Sequence, residues 1–164
     1  MTKFLLAVHV LAVIIAIGPV TVAASMFPTA ARRALSDPGS AQADAQAVAV
    51  VRTLHRICRV YATVGVVVPV FGLATASSLQ VLGDTWLIVS IVLTAIAAAV
   101  LGLLVLPRQG AIVADLDTVA APRPRREQEQ GMARRLAMHT GMFNLLWVTV
   151  TVLMIVRPGS TTGV

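Results

Sequence analysis

The chain has 164 residues, of which 57% are hydrophobic and 12% charged, with a mean hydropathy of +0.86. Soluble domains carry about 25% charged residues, and disordered chains are poorer still in apolar ones, so both classes are excluded. The net charge of +6 comes from twelve Arg and Lys3 against seven acidic residues. Aromatics are only 4%, so no basic surface interleaved with stacking rings is available for nucleic acid. The single cysteine, Cys58, excludes an intrachain disulfide.

Crossing a bilayer takes about 20 mostly apolar residues. Phe4–Phe27 is the first such stretch, interrupted only by His9 and by small or hydroxyl residues. With Lys3 ahead of it and Val22-Ala23-Ala24 before Ser25, it loosely resembles a secretion signal. Its apolar run is longer than a signal core, and cleavage there would carry Arg32 and Arg33 outward. It reads instead as a retained span.

After it, Ser36-Asp37-Pro38-Gly39-Ser40 reads as a turn and cap. A helix then begins near Ala41 and feeds the second span, Val60–Leu79. Pro69, between Gly65 and Gly72, is expected to bend that span or to act as a hinge. The short link Gln80–Thr85, with Gly83 and Asp84 as turn formers, makes an antiparallel hairpin with the third span, Trp86–Leu106. In that span Ala98 and Gly102 suggest a packing seam, and Trp86 an interfacial anchor. Pro122 and Pro124 break the next link, in which Asp115 and Asp117 read as solvated charges. A last helix starts near Arg126 and enters the fourth span, Leu136–Val156, where Thr140 and Asn144 read as interhelical glue. Trp147 lies deeper in the same span.

No span holds Asp, Glu, Lys or Arg. Unpaired backbone is not tolerated in lipid, so each span is a helix. The expected fold is an all-α membrane protein: a four-transmembrane-helix, antiparallel up-down bundle over residues 1–164. The links 28–59 and 107–135 carry eleven basic residues near span ends, against two on the other side. By the positive-inside rule both links are cytoplasmic, both termini lie outside, and the Arg clusters face anionic headgroups.

Ionisable groups within spans are candidate functional sites. His9 lies on a face with Ala12, Val13, Ala16 and Val20, and reads either as a helix–helix hydrogen bond or as a haem or copper ligand. Met154 sits at comparable depth and is a candidate second ligand. His9 is too far along its helix to act with His55 and His139, which lie at the opposite face of the membrane. Those two could instead hold a haem b between them. Against that, Arg52, Arg56 and Arg59 put His55 on a basic interfacial surface. The absence of any carboxylate from the spans points away from a proton-coupled transporter. There is no phosphate loop, nucleophile elbow or metalloprotease motif.

Phe4-Leu5-Leu6-Ala7-Val8-His9-Val10-Leu11-Ala12, then Gly18-Pro19, Phe27-Pro28 and Arg32-Arg33, resemble an uncharacterised family of four-span bacterial integral membrane proteins, a domain of unknown function. The layout is similar, more distantly, to copper resistance protein D and to HemJ-type protoporphyrinogen oxidase. Leu54-His55-Arg56-Ile57-Cys58-Arg59-Val60-Tyr61, leading to Pro69 and Gly72, looks like that oxidase's entry to its second span. The resemblance implies a bacterial plasma-membrane location and marks His9 as a haem ligand. It departs from the oxidase in lacking a lysine within the spans and aromatic residues after the first histidine. The leading expectation is a non-enzymatic membrane subunit or scaffold, packing with itself or with another membrane protein. The alternatives are a haem b- or copper-binding redox or metal-handling protein centred on His9, and a small permease hinged at Pro69.

Overall fold

The computed structural model describes residues 2–35, 41–117 and 125–159, and these are helical apart from 65–66, 79–84 and 157–159. The turn expected at Ser36–Ser40 and the Pro122–Pro124 break lie outside the described residues. Helix α1 spans Thr2–Leu35, α2 Ala41–Val64, α3 Val67–Ser78, α4 Thr85–Ala99, α5 Leu106–Asp117 and α6 Arg125–Val156. A π-helical stretch, Val100–Val105, joins α4 to α5 without a break. Four helical units are long and apolar enough to cross a membrane: Thr2–Leu35, Ala45–Ser78, Thr85–Asp117 and Gly131–Val156.

The helices form a ring in which α1 packs on α2, α3 and α6, while α6 packs on α4 and α2 on α5. Its main core lies toward the Arg-rich end. There Phe27, Val51, Cys58, Val105, Leu136 and Phe143 are closely packed. A smaller cluster of Ala76, Trp86 and Leu87 closes the other end, with Val81 and Met154 against it. The outward faces are apolar: Phe4, Leu103 and Ile155 are each at least 70% exposed. Such surface is costly in water and fits hydrocarbon as the surrounding medium.

The break between α2 and α3 follows from Pro69. Proline has no N–H for the carbonyl of Gly65, four residues back. Val68 N–H bonds that carbonyl instead, at 3.1 Å, and Val66 N–H turns to Thr63 O at 3.2 Å. The tightened turn tilts α3 toward α1. An apolar cavity of about 150 Å³ opens at the bend, lined by Ile17, Tyr61, Pro69, Leu101 and Trp147 among others.

The hairpin turn contains a residue in the left-handed conformation. That residue is Gln80, at φ 58°, and not Gly83. Val81 N–H bonds Ala76 O and Gln80 N–H bonds Ser77 O, so α3 ends in a Schellman motif. Gln80 tolerates the conformation partly because its side-chain amide also donates to Ser77 O, at 3.0 Å. Gln80→Gly removes the backbone strain and should stabilise the bundle by about 0.5–1 kcal/mol, read as a higher melting temperature in detergent. Asp84 starts α4 but does not cap it, because its carboxylate accepts from Trp86 Nε1 at 2.9 Å.

Three expectations are corrected. Ala98 and Gly102 are exposed, Ala98 beside the cavity at the bend, and Ala97, Leu101, Val105 and Gln109 take the interior face. Four-residue steps drift around an α-helix, and the wider π turn takes that drift back. Trp86 is 8% exposed and packs inward, with the Arg157 guanidinium 5.7 Å from its ring. Asp115 and Asp117 lie on α5, and Asp117 pairs with Arg52 of α2. Both partners of that pair are about half exposed. Asp117→Asn should therefore cost no more than about 1 kcal/mol, and less in high salt, by thermal unfolding.

Candidate functional site

His9 is brought to α3 by the bend at Gly65–Val66. Its side chain is 8% exposed, and its Nδ1 lies 3.1 Å from the carbonyl of Val68. A carbonyl only accepts, so Nδ1–H is the donor and the tautomer is fixed. Nε2 is then the lone-pair nitrogen, and among the described residues it has no hydrogen-bond partner.

Gly72 supplies the room. A Cβ at that position would stand 3.0 Å from His9 Cε1 and 3.4 Å from Nδ1. The ring thus lies against bare backbone, one turn beyond the carbonyl that holds it. An imidazole held through one nitrogen by a backbone carbonyl is the usual arrangement of a histidine that ligates through the other. It is equally an interhelical clasp. Met154 packs against the Ala76–Trp86–Leu87 cluster, which begins one turn of α3 beyond Gly72.

At the Arg-rich end, His55 and His139 engage different residues of α5. His55 Nδ1 is 3.3 Å from Gln109 Oε1, and its ring borders Gly110. Gln109 is fully buried and donates through Nε2 to Cys58 Sγ at 3.6 Å. This His55–Gln109–Cys58 chain ties α2 to α5. No spacing or motif points to it, because Gln109 lies beyond the third apolar run. His139 has Arg108 within 2.9 Å of Nδ1 and 3.0 Å of Nε2, and Nδ1 also meets Arg135 O. A guanidinium against both ring nitrogens opposes a metal cation there. Among the described residues, no three His, Cys, Asp or Glu side chains gather as a metal-binding group.

Other polar groups in the spans bond either a neighbouring helix or their own. Asn144 of α6 donates to Ser25 of α1 at 2.9 Å. Ser90 and Thr94 return their hydroxyl protons to carbonyls four residues back.

Four helices long and apolar enough to cross a membrane, with lipid-suited outer faces, define an integral membrane protein. The chain belongs to the family described as "Predicted integral membrane protein (DUF2269)", whose model matches residues 3–158. Comparisons with curated proteins and with solved structures gave no match.

Proposed function

We propose that this chain is a non-enzymatic subunit or scaffold of the bacterial plasma membrane, acting by packing against a second copy or another membrane protein. The observation that carries this reading is how the spans use their polar side chains. His9 and Asn144 each bind a neighbouring helix singly, and His55, Gln109 and Cys58 bind one another across α2 and α5, as clasps between helices would. The four helices also bury little of one another, which leaves broad apolar faces for lipid or a partner. Both termini lie outside in this reading, and the Arg-rich links meet anionic headgroups in the cytosol. Affinity purification from native membranes in mild detergent, with mass measured by light scattering, should give a homo-oligomer or a stable complex. A bare monomer would sink the proposal.

The arrangement of His9 favours a second reading, in which Nε2 takes one axial position of a haem b or binds copper. Its fixed tautomer and the clearance at Gly72 fit a ligating imidazole. The second ligand would be Met154, or would come from another copy, which is compatible with the subunit reading. A bound haem would supply one-electron chemistry, and His9 would anchor and orient it. Protein from haem-replete cells should then show a Soret band that is lost in His9→Ala and kept in His55→Ala. A colourless, metal-free preparation would exclude this reading.

A further inference from the structure

The cavity at the α2–α3 bend lies at the middle of the bundle's length. Ile17, Tyr61, Ala98 and Phe143, one from each span, line it, and each stands near the midpoint of its own span. Two backbone irregularities bound it. On one wall, the tightened turn at Gly65–Val66 carries α3 away from the line of α2. On another, Leu101 belongs to the π-helical stretch.

The cavity has a mouth. Val66 lines it and is 64% exposed, and Ala98 lines it from α4 and is exposed as well. Helix α4 packs on α6 and not along α3. Those two helices meet beside their link instead, around Ala76, Trp86 and Leu87. The opening between the bend and α4 is therefore continuous with the lipid-facing surface, where Val67 and Val70 are exposed.

Depth and lining restrict the occupant. Half of the hydrocarbon core is about 15 Å thick, so no headgroup reaches the middle of a span. Water is held only where several polar groups converge. Here Thr94 gives its hydroxyl proton to Ser90 O, at 2.7 Å, and Trp147 Nε1, though unpaired, is closed off within the protein. An empty cavity is also unfavourable, because its walls forfeit dispersion contacts. The medium at this depth is hydrocarbon. An apolar cavity of about 150 Å³ accepts one benzene molecule, so this one takes about six carbon atoms. A lipid chain presents such a segment at its methyl end.

We infer that the cavity is a binding site for the methyl end of a phospholipid acyl chain, which enters laterally between the bend and α4. Val66 and Ala98 flank the entry, and the Trp147 ring lies against the seated chain. The inference is independent of His9, of any partner protein and of which way the bundle faces.

The test places the full chain in phosphatidylcholine bilayers and reads tryptophan fluorescence. Trp86→Phe leaves Trp147 as the only tryptophan. Bromine quenches an indole that it touches. Lipids brominated near the methyl end should quench Trp147 strongly, and lipids brominated near the ester weakly. Ala98→Leu and Ala62→Leu add bulk to the cavity wall, and each should remove most of that quenching. Ala99→Leu makes the same change at an exposed position outside the cavity and should be quenched as the parent is. In detergent the two filled variants should melt no lower than the parent, because overpacking destabilises only where the space is already taken. Equal quenching from both bromine positions, methyl-end quenching that neither filled variant reduces, or a lower melting temperature in both would overturn the inference.

Discussion

Gly72→Ala should loosen α3 from α1 and destabilise the bundle by about 1–3 kcal/mol, seen as a lower melting temperature in detergent. The added methyl would stand 3.0 Å from His9 Cε1, closer than side chains normally approach. The ring cannot simply swing away, because Nδ1 is tied to Val68 O. Either the hydrogen bond stretches or the two helices part. Removing the ring relieves the clash, so Gly72→Ala should cost far less in a His9→Ala background. That coupling is the signature of contact in a double-mutant cycle. Gly18→Ala and Gly141→Ala are the controls, since a Cβ at either meets nothing within 4 Å. Both should be neutral or stabilising by up to about 1 kcal/mol, as expected for alanine in a helix. Equal losses at all three positions would refute the close packing of His9 on Gly72.

Reporter fusions should give an all-or-none result for orientation. Alkaline phosphatase joined at Val164 is expected to be active, and a fluorescent protein at the same point dark. Insertions between residues 118 and 124 should show the reverse. The expectation rests on eleven basic residues against two near the span ends, an imbalance well beyond what commonly sets topology. A bright cytosolic signal from Val164 would invert the bundle and place the Arg-rich links outside.

The spans were legible because twenty-residue apolar runs have few other uses. The bend was legible because Pro69 leaves a carbonyl without its donor wherever it sits in a helix. Azimuth was not legible. Sequence spacing placed His9 at a depth, but whether it met α3, α4 or α6 depends on a tilt set by the bend. The π stretch is invisible for a related reason. Val100-Leu101-Gly102-Leu103-Leu104-Val105 is apolar throughout, so nothing local marks which residue turns inward. The small pair Ala98 and Gly102 was misjudged on that account. The Gln109–Cys58 contact escaped notice because a buried amide bonding a thiol has no sequence pattern. Asn144 as glue was half the matter: one end of its amide clasps Ser25, and the other end has no protein partner.

The uneven placement of the core has a mechanical consequence. Near the arginines the helices share one dense cluster, whereas at the far end only a few side chains around Trp86 hold α3, α4 and α6 together. Stiffness therefore falls along the membrane normal. A bilayer that thins or thickens will be accommodated by splaying at the Trp86 end, with Gly65–Val66 as the pivot, while the arginine end keeps its shape.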